Sequence, residues 1–269
     1  MVFWKLMAFV RAAIQVQRSY RLRYLMQGFT ALLPLVGLFF LSRVFSGEQL
    51  SALDAYGGNY LPFVMVGMAV TLFSAISLRA VTGTLGTAQR TGTLEVLLLT
   101  RTSLPTMMVG WTIYPFLRSV LGLAIYMSGG LLIVGLSFSN ANFLPAALAI
   151  VLVMIVMTSI GLISAGFLLV FKQGDPFTGL FLLGGVLLAG TVYPVSVLPE
   201  WLQVVARLFP QMHGLEATRL AILKGHSVAD VSNNLGVLLI YATVLVPVSL
   251  LVFKLGLHRA KVEGSLAHY

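Results

Sequence analysis

Few residues in this chain are equipped for covalent chemistry. Eight carboxylates and four histidines are spread over 269 residues, and cysteine is absent. Without cysteine there is no thiolate nucleophile, disulfide framework or sulfur-ligated metal site. The chain lacks a G-x-x-x-x-G-K-[ST] phosphate loop and an H-E-x-x-H zinc helix, and no paired acids fall inside an apolar run. His213 has no partner at ligand spacing and reads as a polar cap or interface residue. The charges that stand out are of another kind. Glu216 and Arg219 lie one helical turn apart. They read either as an exposed ion pair contributing under ~1 kcal/mol or as charged parts of a gate. Arg118 borders an apolar run. It either snorkels to the headgroups from a span opening at Leu117 or lines a pathway. Glu95 opens a short leucine-rich segment. Such residues hold, gate or couple, so the chain reads as a non-enzyme.

The elements that must position these residues are membrane helices. Hydrophobic residues make up 58% of the chain, charged residues 9%, and mean hydropathy is +0.96. A soluble domain carries about 25% charged residues, so this is an all-α integral membrane protein. A span needs about 20 apolar residues. Six runs qualify: Tyr24–Ser42, Tyr60–Leu78, Ser119–Leu136, Phe143–Phe171, Pro176–Tyr193 and Leu235–Phe253. With the N-terminus inside, 12 of the 17 basic residues fall on the cytoplasmic side. The positive-inside rule therefore predicts a multi-pass protein of the plasma (inner) membrane with both termini cytoplasmic. The net charge of +9 belongs to these boundaries and to lipid headgroups, not to nucleic acid. Residues 1–23 have no signal-peptide core. Phe3, Leu6, Met7, Val10 and Ile14 recur at helical spacing, as in an amphipathic helix lying in the cytoplasmic interface; packing on a partner is the alternative. The membrane domain covers 24–257 and a cytoplasmic tail 258–269.

Between the second and third runs, at about 90–99, lies Arg90-Thr91-Gly92-Thr93-Leu94-Glu95-Val96-Leu97-Leu98. Thr93 is a usable N-cap and Glu95 suits the first turn of a helix. Leu94, Leu97 and Leu98 share one face, and Pro105 closes the segment. That leucine face either docks in a groove on another protein or packs on the chain's own bundle. The run with Gln89 resembles the "E-R-x-G-T-L-E-x-L-L" motif of ABC type-2 (ABC-2) exporter permeases. Gln89 replaces an acid common there, and Arg101 a proline. A second stretch, Gly190-Thr191-Val192-Tyr193-Pro194, then Leu198-Pro199-Glu200-Trp201-Leu202, Pro210 and Glu216-Ala217-Thr218-Arg219, is similar to the family's "G-x-x-[FY]-P … L-P-x-W-L … P … E-x-x-R" pattern.

The second stretch also has a physical reading. Pro199 fits the first helical position and Glu200 suits the dipole. Trp201, Leu202, Val205, Leu208 and Phe209 share an apolar face, and Pro210 ends the helix. A second helix, about His213–Leu223, closes at Lys224-Gly225. Both are too short to span, so residues 194–225 form a re-entrant hairpin at the outer mouth, with Trp201 at headgroup level. The clusters Gly129-Gly130, Gly161/Gly166 and Gly184-Gly185 serve close helix contact or substrate access. Met65, Met68, Phe39 and Phe40 read as packing or lipid-facing residues ahead of pathway residues.

The resemblance implies a function. Arg90, Gly92, Thr93, Leu94, Glu95, Leu97 and Leu98 form a coupling helix that contacts a separate ATPase, two copies of which bind ATP and magnesium; this chain carries no cofactor. Tyr193, Pro194, Pro199, Trp201, Pro210, Glu216 and Arg219 form the outer hairpin and gate. Six helices make half a transporter, so a second copy or a similar permease completes it within membrane lipids. The cargo is a hydrophobic small molecule, drug or lipid leaving the cytoplasm or inner leaflet, or alternatively a lipid-linked glycan. A channel or carrier independent of ATP is the alternative of another class.

Overall fold

Helices account for the protein's regular structure in a computed structural model that describes residues 2–19, 26, 33, 36–40, 43, 51–100, 102–134, 140–171 and 176–262. Helix α1 is Val2–Ser19. Helix α2 is Tyr60–Arg90, α3 is Thr93–Leu99 and α4 is Leu104–Val134. Helices α5 (Phe143–Phe171) and α6 (Pro176–Leu188) follow. Two short helices, α7 (Glu200–Arg207) and α8 (Pro210–Lys224), precede α9 (Ser232–Val262). Short 3₁₀ turns occupy Ser51–Tyr56 and Val195–Val197. No strand occurs among the described residues.

Four of these helices, α2, α4, α5 and α9, are long and apolar enough to cross a membrane. The run Phe143–Phe171 is a helix with those bounds. The other three exceed their apolar runs: α2 continues to Arg90, α4 opens at Leu104, and α9 covers Ser232–Val262. Hydropathy registers only the lipid-crossing part of a helix, while backbone bonding carries the helix on into polar sequence. Pro105 accordingly lies in the first turn of α4, where its missing N–H is harmless, and does not close the preceding segment. The fifth run shortens to the 13 residues of α6, which ends before the Gly190 turn, where φ is +76°. The first run, Tyr24–Ser42, lies largely outside the described residues, as do residues 263–269 of the tail.

The core is built around α5, which packs on both α2 and α9. Small residues set those crossings. A side chain at Gly161 would strike the Leu78 carbonyl, and one at Gly166 would press on Val252 and Phe253 of α9. These glycines therefore serve helix contact. Met65 is buried beside Tyr126 and Ala69, in packing as expected, and Phe40 is exposed. Helix α1 forms as its periodicity predicts and packs on α4, with the Phe9 ring against Gly110.

Helices α2, α5 and α9 run one way and α4 the other, so the bundle has two ends. One holds α3 with the C-termini of α2, α5 and α9 and the start of α4. The other holds the Ser51–Tyr56 turn, the Gly190 turn and α8. The candidate site residues fall at these ends.

Candidate functional site

At the first end, α3 is a seven-residue helix between two long ones. Gly92 is its N-cap at φ +67°, a left-handed conformation that glycine adopts without a Cβ penalty. Thr93 is thus the first helical residue and not the cap; its hydroxyl meets that of Thr91 at 2.9 Å. Glu95 occupies the first turn. The leucine face turns inward. Leu94 is 2% exposed and sits among Val81, Leu85, Met107, Trp111 and Leu257, with Leu97 and Leu98 packed against the same cluster. Burying Leu94 alone contributes roughly 2 kcal/mol. The surface left outside consists of Arg90, Thr91, Gly92, Thr93, Glu95, Val96 and Leu99, with Val96 64% and Leu99 87% exposed. Of the two readings of the leucines, packing on the chain's own bundle is the one observed. Periodicity finds an apolar face but does not say which neighbour covers it.

At the other end, Arg219 is 1% exposed. Its Nε donates to the Phe63 carbonyl at 3.2 Å, and its two terminal nitrogens donate to Gly190 O and Thr191 O, each at 2.7 Å. The guanidinium lies 3.5 Å from the centre of the Phe63 ring, a cation–π contact. Gly67 makes room for it, since a Cβ there would collide with Thr191 O and the Arg219 guanidinium. Burial pulls the Arg219 pKa down to about 9, so it remains cationic at neutral pH.

Glu216 does not form the exposed pair with Arg219 read from their spacing. Its carboxylate accepts both contacts of the Tyr56 hydroxyl, at 2.9 and 2.8 Å. Burial raises the Glu216 pKa more than the Tyr56 hydrogen bond and Arg219 lower it. Tyr56 is likewise pushed up, first by burial and then by Glu216. Polar side chains continue the site inward. Gln211 donates to Thr71 Oγ1 at 3.1 Å, and Thr71 and Thr191 share a 2.8 Å hydroxyl contact. One connected network therefore ties α8 to α2, the Gly190 turn and the Ser51–Tyr56 turn. Tyr56, Gly67, Thr71 and Gln211 had no local sequence signal, because their partners lie up to 160 positions away.

The remaining hairpin residues are placed as follows. Tyr193 donates its hydroxyl to Leu187 O at 2.6 Å, and Pro194 caps the Val195–Val197 turn. Pro199 is the N-cap of α7 and not its first helical residue. Trp201 is 69% exposed, and Leu208 is exposed beside it. Pro210 opens α8 as well as closing the preceding turn, so α8 starts three residues before His213. Gly225 closes it at φ +72°, as expected. His213 bridges Arg207 O and Asn234. Arg118 sits in the middle of α4, half-buried; the helix opens at Leu104, not at Leu117.

The helices and the buried polar cluster define a multi-pass membrane protein with no strand or soluble domain among its described residues. The ABC-2 type transporter family model matches residues 8–223, and the chain belongs to that family. Among relatives, it is 23% identical over 175 residues to the linearmycin resistance permease protein LnrN of Bacillus subtilis (strain 168), covering 64% of this chain and 44% of that one. It is 26% identical over 191 residues to nodulation protein J of Rhizobium leguminosarum bv. trifolii, covering 70% of this chain and 71% of that one. It is 27% identical over 193 residues to nodulation protein J of Neorhizobium galegae, covering 69% and 70%. The chain is thus a multi-pass membrane protein of the ABC-2 type transporter family, and its match spans less than half the length of the Bacillus relative.

Proposed function

We propose that this chain is the transmembrane subunit of an ATP-driven exporter of a hydrophobic small molecule, drug or lipid, with both termini in the cytoplasm. Six spans cross the bilayer, α1 lies in the cytoplasmic interface, and the α7–α8 hairpin re-enters the outer leaflet. Two copies, or this chain and a similar one, pair around the path. ATP and magnesium bind a partner ATPase, also in two copies.

The observation that carries this reading is α3. A helix of seven residues has little stability of its own, yet Leu94 anchors this one in the core while Glu95, Val96 and Leu99 face outward. A partner pressing on that outer face moves α2, α4 and α9 with it, because the buried leucine shares one core cluster with residues of all three. The polar network around Arg219 holds the opposite end closed until the bundle rearranges.

Co-purification with the cognate ATPase tests this. Val96→Asp and Glu95→Lys should each abolish capture of the ATPase, or its stimulation, without lowering permease yield. If both variants capture the ATPase as wild type does, the coupling assignment is wrong.

A further inference from the structure

One groove lies apart from the Arg219 network. It runs along the α3-proximal part of α2 and has a volume of about 450 Å³. Its α2 wall is Arg79, Thr82, Gly83, Gly86, Gln89 and Arg90. These positions follow the i, i+3, i+4, i+7 spacing of one helical stripe. Thr178 and Gly179 of α6 form the facing wall.

Three properties point to a ligand. First, the groove is cationic. Both arginines are exposed, and among the described residues no carboxylate engages either one or lines the groove. Second, it is open. A side chain at Gly83, Gly86 or Gly179 would meet nothing within 4 Å. Third, its wall contains an unsatisfied group. Gln89 Oε1 is buried without a hydrogen-bond partner, and a half-turn of the amide puts a donor in its place. A buried polar atom left unpaired is costly, and a ligand with hydrogen-bonding oxygens relieves it.

Position selects the ligand class. The apolar run Tyr60–Leu78 covers about 29 Å at 1.5 Å per residue, close to the ~30 Å of a hydrocarbon core. Arg79 is the next residue, at the headgroup level, and Arg90 lies about 16 Å further towards water. A guanidinium there, flanked by hydroxyls and glycines, suits a phosphate oxygen. We infer that this groove binds the phosphate headgroup of an anionic amphiphile from the inner leaflet, with Arg79 as the direct contact and Arg90 drawing the anion in. The choice of leaflet rests on the exporter reading; the binding chemistry does not.

The test uses the full-length permease in detergent, without ATPase, titrated with short-chain phosphatidylglycerol and phosphatidylcholine by native mass spectrometry. Wild type should prefer phosphatidylglycerol. Arg79→Gln should lose about tenfold, the scale of one charge-assisted hydrogen bond. Gly83→Leu, which fills the groove and leaves both arginines intact, should lose as much. Lys254→Gln, the same charge change at an exposed site on α9, should lose little. Displacement of the lipid by millimolar inorganic phosphate assigns the groove to soluble phosphate compounds, and resistance to it assigns it to the headgroup. Equal binding of the two lipids, or unchanged binding in both Arg79→Gln and Gly83→Leu, overturns the proposal. A failure of the exporter reading would appear elsewhere, in ATPase capture by the Val96 and Glu95 variants.

Discussion

Arg219 exchanges water for three backbone carbonyls and an aromatic face. Its planar fork lets one side chain hold two parts of the chain at once, which a lysine does not reproduce. Arg219→Met should orphan those carbonyls and lower stability by roughly 3 kcal/mol. The loss should appear as faster hydrogen exchange at residues 186–195 while exchange in α3 stays unchanged. Glu216 supplies a pH dependence. Its pKa is raised in the folded protein, so the folded state holds the proton more tightly than the unfolded one. That stabilisation is fully present below the ordinary carboxylate pKa and is lost as pH rises through the folded value. Thermal stability should therefore increase as pH is lowered towards 5, and Glu216→Gln should flatten the slope. A melting series on both proteins checks this. The sequence placed Glu216 and Arg219 together as neighbours on a helix. It did not reveal that each takes its main partner from elsewhere, because Phe63 and Tyr56 approach only when the chain folds back.

At the scale of elements, α3 separates two roles that the sequence fused. Leu94, Leu97 and Leu98 anchor the helix, while Val96 and Leu99 are offered outward. Leu94→Ala should leave the outer face available but open a cavity beneath it, at a cost of about 2–5 kcal/mol. The ATPase should still be captured while its stimulation by the permease falls, which parallel pull-down and phosphate-release assays would show. Other elements were legible to different degrees. Phe143–Phe171 was readable because an unbroken apolar run fills the whole described helix. Helices α2, α4 and α9 were recognised but read short, since their polar ends are held by backbone bonding and packing. The two short helices α7 and α8 were legible through their prolines and Gly225, with Pro199 and Pro210 each shifted in role.

At the scale of the molecule, the two ends should lie on opposite sides of the membrane. The absence of cysteine makes this measurable. Ala229 and Val262 are exposed at opposite ends. In intact cells an impermeant maleimide should label Ala229→Cys, and it should reach Val262→Cys only after permeabilisation. The reverse pattern would invert the topology.

Helix α2 joins those ends as one 31-residue rod of about 46 Å. Unlike α4 and α9, which carry Pro115 and Pro247 in their interiors, its sole proline, Pro62, falls in the first turn. A hydrogen-bonded helix without a hinge barely shortens under load. An axial thrust delivered at Arg90 therefore arrives at Phe63 almost undiminished, as in a pushrod. The bond from Arg219 to the Phe63 carbonyl is 3.2 Å, and about half an ångström of travel takes such a bond past useful length. Under the coupling proposed above, the stroke that breaks this one bond is thus smaller than the ~1.5 Å rise of one residue.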